Sequence, residues 1–421
     1  MTSYSKNISA MELGKPLVSR EIWSDKLVAF LFAISPILNN YQGPVVSAGI
    51  TVLILMFPYE VIKLLRAELI PSKAVGLVLP LYLFWMFKVV DHGTTVTELG
   101  QVMVYMVLVL VFATGCIDPK LLLRYATMVA CFASMCIIVQ YFTYYVLKFH
   151  LTLVPTNLLL EGSSQWIQLA KTGRISVTGR TMAFYRPSSF FLEPSHMFVY
   201  LSAPLYCAVL SGNFKRDKFK ALLLTAGTVL STSGMGLMAT AIVWGLFFVK
   251  NGVDSRKFSL KNLIRRETVI ILLLGIGAVV VCFFEVEFFR RSLLRIFSSG
   301  DDYSNAIEGR LGSASVLLSQ FSFKELLVGI SDHYSEVDFH MTAFNATMYK
   351  YGIIGTALSY VFYLRCLIDL KDQYFWLAVL LIGVSFFNPH THGTVYMLYF
   401  VTILLNGYKE QHDCSGKINA V

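Results

Sequence analysis

The chain has 421 residues, 56% of them hydrophobic and 14% charged, with a formal net charge of +9. An ordinary soluble domain is roughly 25% charged, and a soluble core could not hide so much apolar surface, so a soluble enzyme, a nucleic-acid binder and a disordered scaffold are poor fits. A hydrocarbon span takes about 20 apolar residues. The composition therefore predicts an all-α polytopic membrane protein of about twelve transmembrane helices, a single integral membrane domain over residues 1–421.

Met1 to Lys26 is polar with mixed charge, and the apolar run Leu27 to Leu38 lacks a small-residue cleavage site, so insertion is expected to use the first helix itself. Hydropathy then predicts helices over Val45–Leu65, Val75–Val90, Leu99–Cys116, Leu122–Leu147 and Phe190–Leu210 in the first half. The second half adds Ala221–Ser231, Gly234–Val249, Thr268–Val286, Met341–Ile368, Phe375–Phe387 and Thr394–Leu405. The seven cysteines lie in predicted spans or beside cytoplasmic segments, and an odd number with none in an outer loop offers no disulfide framework.

Lysine and arginine set the orientation, because short loops rich in them stay cytoplasmic. Clusters at Lys63 to Lys73, Lys120 to Arg124, Lys215 to Lys220, Lys250 to Arg266 and Arg365 to Lys371 alternate with short segments that hold neither residue, such as Asn39–Pro44 and Asn388–Gly393. Both termini are expected in the cytoplasm. Topology thus accounts for most of the positive charge without nucleic acid. It leaves unexplained the basic residues of two long outer loops, 148–189 and 287–340, since long loops cross regardless of charge.

The first long loop ends in Arg180, Arg186 and the run Phe-Phe-Leu-Glu193-Pro194-Ser-His196, which leads into an apolar helix. Counting back from Leu210 at 1.5 Å per residue puts Glu193 within about a turn of the outer interface. A carboxylate at that depth marks a functional site by default, and Pro194 can start or kink the helix beside it. The alternative is that Glu193 caps the helix or pairs with Arg186. In the second loop, Arg295 and Arg310 are candidates to hold phosphate oxygens through the planar guanidinium fork, whereas Arg290 and Arg291 abut a helix end and suit lipid headgroups. Asp332-His333 and Asp338-Phe-His340 are weak as metal ligands, and no Asp-x-Asp pair occurs, so no metal is expected and the arginines would neutralise phosphate.

Smaller features remain. Ser231 to Gly236 reads as a tight turn between two helices, and Gly352-Ile-Ile-Gly355 as close helix packing. Lys88 is expected to snorkel or to pair with Asp91, Lys350 has no evident role, and the short loop at His390 and His392 suggests no chemistry.

The Phe-Leu-Glu-Pro-Ser element within Arg186 to His196, the Leu-Ser-Thr-Ser-Gly turn at Leu230 to Gly234, and the long outer loop before Tyr351-Gly-Ile-Ile-Gly355 together resemble Wzy-type polysaccharide polymerases of the O-antigen polymerase and ligase superfamily. Ligases of that superfamily carry His followed by Asn, Ser or Gln, and then Gly eleven residues after the His. Here Met341 follows His340 and Gly352 lies twelve residues on, and the Arg-x10-Gly pattern of some O-antigen polymerases is absent from both loops. The nearer likeness is to exopolysaccharide and capsule polymerases with a Phe-x-Glu-Pro element, on which Phe191, Glu193 and Pro194 fall.

The resemblance implies transfer of a growing glycan from undecaprenyl pyrophosphate to a new lipid-linked repeat unit at the periplasmic face of a bacterial inner membrane. In that scheme Glu193 takes the acceptor proton, Arg186, Arg310, Arg180 and Arg295 hold the pyrophosphate, and His196, Asp338 and His340 contact the acceptor glycan. It implies no cofactor, with membrane lipid as surroundings and a chain-length regulator and a flippase as partners. An O-antigen ligase is the alternative within the superfamily. A lipid-glycan transporter is the alternative from another class, disfavoured because no internal repeat is evident and few ionisable residues sit at midspan depth.

Overall fold

The computed structural model describes residues 23–65, 79–88, 102–104, 106–107, 117–159, 164–173, 176–177, 180–181, 185–211, 214–253, 319, 321–330, 341–388 and 394–418. The span expected at Thr268–Val286 and the loop residues Arg295, Arg310, Asp338 and His340 lie outside them.

The described chain is mostly helical. In order it forms α1 (Trp23–Leu38), α2 (Ala48–Leu65), α3 (79–88), α4 (Pro119–Tyr145), α5 (Ser164–Thr172), α6 (Pro194–Leu210), α7 (Phe214–Leu230), α8 (Gly234–Val253), α9 (Phe323–Val328), α10 (Ala343–Asp369), α11 (Asp372–Ser385) and α12 (Thr394–Ile418). A two-residue antiparallel pair, β1 (Ser176–Val177) and β2 (Arg180–Thr181), joins them within the first long loop. By length and composition, α4 and α10 are each able to cross a membrane.

Helix ends follow capping chemistry more closely than hydropathy. The fourth helix starts at Pro119, three residues before the apolar run, because Asp118 caps it: its carboxylate accepts from Lys120 N–H at 3.1 Å and proline occupies the first turn. Helix α6 starts at Pro194, four residues later than hydropathy alone suggests, because Glu193 is held extended before the proline. The α7 helix reaches back to Phe214 through the lysine-rich turn, well before Ala221.

At the centre stands α6. Every residue of it except Ser195 is buried, against α4, α7, α8, α11 and α12, as expected of a helix that is apolar all round. Pro204 removes the N–H that would bond the Tyr200 carbonyl; the Tyr399 hydroxyl donates to that carbonyl instead, at 3.4 Å. The same substitution recurs in α1, where Pro36 leaves the Phe32 carbonyl without its helical donor and the Ser35 hydroxyl supplies one at 2.9 Å.

Cross-helix contacts fix the directions. Asn40 meets His196 and Tyr200 reaches Ala33, so α1 and α6 are antiparallel. Phe30 packs on Tyr125, and further along Tyr41 and Phe132 both meet Phe190, so α1 and α4 run together. Tyr396 and Tyr399 reach His196 and Tyr200, so α12 runs with α6. The α7 and α8 helices join through Ser231, Thr232 and Ser233, all buried, with Thr232 at φ +58°. Lys250 donates to the Leu210 carbonyl and pairs with Asp372, gathering the last turns of α6 and α8 with the start of α11. The bundle therefore has one end that gathers the starts of α1, α4 and α7 with the end of α8, where Lys26, Lys120, Arg124, Lys218 and Lys250 stand, and an opposite end that carries Asn40, Gln140 and Glu193.

The tenth helix is not straight. Phe344 and Tyr360 would stand about 24 Å apart along a continuous helix, yet their ring centroids are 5.8 Å apart. The bend is at Gly352, at φ 60° and ψ −165°, a region essentially reserved for glycine. A Cβ there would strike the backbone of Leu327, and one at Gly329, also at positive φ, would strike that of Lys350. The packing expected of Gly352 and Gly355 is thus two contacts: Gly352 against α9, and Gly355 against the Phe84 ring of α3. Lys88 is buried and donates to the carbonyls of Val328 and Gly329 at 2.8 and 3.3 Å, placing its charge at the C-terminal end of α9.

Gly352→Ala should destabilise the chain by about 1–3 kcal/mol, from strained backbone and lost close approach. Thermal unfolding in detergent, followed by loss of the monodisperse peak, measures it. An unchanged melting temperature would contradict the bend.

Candidate functional site

The site forms where the last turn of α1 meets the first turn of α6. Glu193 is the N-cap residue of α6, at φ −145° and ψ 162°, but its side chain makes no capping hydrogen bond. Its Oε1 instead lies 3.6 Å from Nε2 of His196, one turn along, and the two side chains are only 16% and 7% exposed. The expected cap is therefore a backbone role alone, and the carboxylate is directed to the imidazole.

The other side of that ring is set by Asn40, whose Nδ2 stands 3.3 Å from His196 Nδ1. With the amide nitrogen as donor, Nδ1 accepts, and a neutral ring then carries its proton on Nε2, on the side of Glu193. The Tyr396 hydroxyl donates to the His196 carbonyl at 3.4 Å, and its phenol is near enough to feel the Glu193 charge. Asn40 is itself anchored: the α1–α2 loop docks on the first long loop through Gln42, whose N–H and Nε2 donate to the carbonyls of Leu158 and Leu159 at 2.7 and 2.9 Å. The Tyr41 hydroxyl donates to the Phe190 carbonyl at 3.1 Å.

The segment before Glu193 hangs on Gln140, a fully buried amide at the end of α4. Its Nε2 donates to the Leu151 carbonyl at 2.9 Å and its Oε1 accepts from Ser189 N–H at 3.0 Å. Tyr185, stacked on Tyr144 at 3.9 Å, donates through its hydroxyl to His150 Nδ1 at 2.7 Å, while His150 Nε2 donates to the Ala170 carbonyl at 2.9 Å. Both ring nitrogens are engaged in the neutral form, and burial pulls the His150 pKa below its ordinary value of 6.5 despite the bond to Ala170.

Of the residues singled out by sequence, Glu193 and His196 come together. Arg186 lies half-buried on the same segment, its N–H donating to the Gly173 carbonyl at 2.8 Å, and Arg180 lies in β2 opposite Val177. Asn40 and Tyr396 were not foreseen: their distance along the chain from His196 leaves no local spacing to read. Among the described residues, no three side chains of His, Cys, Asp and Glu gather in one place.

The arrangement provides a nearly buried carboxylate, an imidazole nitrogen 3.6 Å from it, and a phenol beside them. A carboxylate so held can accept a proton from a hydroxyl brought to it. No protein-family model matches the chain, and no curated protein matches it in sequence.

Because folding depresses the His150 pKa, the unfolded chain takes up the proton first as pH falls. Stability from this contact is complete above about pH 6.5 and declines below it. The melting temperature should drop between about pH 7 and pH 5, with a flatter dependence in His150→Gln. Equal slopes in the two proteins would remove His150 as the titrating group.

Proposed function

We propose that this chain polymerises lipid-linked oligosaccharide repeat units, as a multi-pass protein of a bacterial inner membrane with about twelve spans. Both termini lie in the cytoplasm, and the Glu193 end of the bundle lies at the periplasmic face. The observation that carries the reading is the Glu193–His196–Asn40 arrangement at the head of the most enclosed helix. The resemblance around Phe191, Glu193 and Pro194 supplies the reaction class, and the basic opposite end supplies the orientation.

In the reaction, the acceptor hydroxyl oxygen attacks the anomeric carbon of the glycan joined to undecaprenyl pyrophosphate. The carbon–oxygen bond to the pyrophosphate breaks, the bonding pair leaves with the lipid pyrophosphate, and the hydroxyl proton passes to the Glu193 carboxylate. His196, through Nε2–H, holds that carboxylate towards the acceptor and is a positioning residue; Asn40 fixes its tautomer. Arg186 and Arg180, with Arg295 and Arg310 of the second loop, stabilise the charge that grows on the pyrophosphate. Asp338 and His340 contact the acceptor glycan.

Lipid-glycan transport is the second reading, favoured by the bend of α10, since broken helices are common in transporters. The two differ in what accumulates. Under polymerisation, cells carrying Glu193→Gln should lose long chains by at least about 10²-fold, the contribution of one aligned base, with normal membrane abundance and with single repeat units still present at the periplasmic face. Near-normal polymer would sink the assignment, and repeat units confined to the cytoplasmic face would indicate transport.

Arg310→Lys should likewise reduce polymer length on a gel, because a point charge cannot reproduce the bidentate fork. Wild-type polymer from that variant would return Arg310 to an ordinary solvated loop residue.

A further inference from the structure

One face of α4 remains uncovered. Met128, Phe132, Met135, Val139, Phe142 and Val146 recur at alternating steps of four and three residues, and each is between 46% and 58% exposed. The opposite face, with Leu122, Ala126, Ala130, Ala133 and Ile137, is buried in the bundle. A stripe from Met128 to Val146 is about 27 Å long at 1.5 Å per residue, close to the roughly 30 Å of a hydrocarbon core. Exposed Arg124 precedes it by one turn, and Tyr145 and Lys148 end it. Aromatic and basic residues in those places mark headgroup level.

At the Lys148 end of the stripe, a cleft of about 710 Å³ opens between the loop after α4 and α5. The cleft is open to the surface. Tyr145, Lys148, Gln168 and Lys171 offer it an aromatic face, two ammonium groups and an amide, the Thr172 hydroxyl donates to the Gln168 carbonyl at 2.8 Å, and none of the described residues lining it is acidic. His150 forms a wall without offering a free nitrogen, since its ring is engaged by Tyr185 and Ala170. The cleft shares no residue with the Glu193 cluster.

We propose that this cleft is a headgroup site for an anionic phospholipid, with the lipid phosphate between Lys148 and Lys171 and an acyl chain along the α4 stripe. Two positive groups, with no carboxylate among the described lining residues, favour a negatively charged headgroup, the Gln168 amide can donate to its phosphate oxygens, and the Lys148 half of the stripe faces the acyl chains of one leaflet. The inference rests on α4 spanning the membrane and is independent of glycosyl transfer.

The test is native mass spectrometry of the full chain in detergent, titrated in turn with phosphatidylglycerol and phosphatidylethanolamine. Phosphatidylglycerol should be retained preferentially, and Lys148→Ala with Lys171→Ala should weaken that preference by on the order of 10- to 30-fold, from the attraction each lysine supplies near an anionic lipid. Lys218→Ala with Lys220→Ala, at the opposite end, should leave it unchanged and controls for loss of charge alone. Equal retention of the two lipids, or an unaltered preference in the Lys148 and Lys171 variant of normal melting temperature, would overturn the site. So would displacement of phosphatidylglycerol by inorganic pyrophosphate or by an acidic oligosaccharide, which would make the cleft a soluble-anion or glycan site. A loss of glycan polymer in Glu193→Gln, or its persistence, has no bearing on these outcomes.

Discussion

Enclosure of α6 is the constraint from which the rest of the bundle follows. A helix with apolar residues on every side has no face to offer water, so the neighbours that surround it are part of its own stability. Enclosure also forbids any polar backbone group from turning to solvent, and the proline at 204 makes that demand concrete. The carbonyl it leaves behind is met by a hydroxyl from α12, and this bond, with that of Tyr396 to the His196 carbonyl, holds α12 beside α6 in the same direction. Tyr200, stacked on Tyr399 at 5.0 Å, then extends the same contact across to α1 through the Ala33 carbonyl.

This enclosure also makes the head of α6 chemically unusual. A helix that begins in the open can leave its capping carboxylate to water. Here the first turn is already inside the protein, and the Glu193 carboxylate stands beside His196 on the next turn. The other ring nitrogen is met from the turn after α1, by Asn40, 156 positions away in the chain. The carboxylate is thus oriented by tertiary structure, which is what separates a prepared proton acceptor from an incidental surface acid.

The apolar runs made the described helices legible, and the observed contacts gather Lys120, Lys218 and Lys250 at one end of the bundle. Helix starts were less legible, because Asp118 with Pro119, and Glu193 with Pro194, fix boundaries through single caps that an averaged hydropathy ignores. Glu193 stood out as an ionisable group beside an apolar helix, whereas Asn40 looked like an ordinary turn residue and acquires meaning only beside His196. The bend at Gly352 was hidden for a related reason: a Gly-x-x-Gly spacing suggests close packing, and nothing local distinguishes a straight helix from one whose backbone meets Leu327. Lys88 was read for its charge and is used for its reach to the Val328 and Gly329 carbonyls.

The amide of Gln140 touches both edges of the first long loop, at Leu151 and at Ser189, and thereby closes the loop at its base as a clasp closes a ring. Between those two points the loop still touches the bundle, through Tyr185 on Tyr144 and through the Leu158 and Leu159 carbonyls on Gln42. The entropy of a closed loop rises only slowly with its length, about 0.6 kcal/mol for each doubling, so additions or deletions inside the ring need not move Glu193. Outside those contacts and the residues proposed to hold pyrophosphate and lipid, the loop is free to diversify while the helix head it borders stays in register.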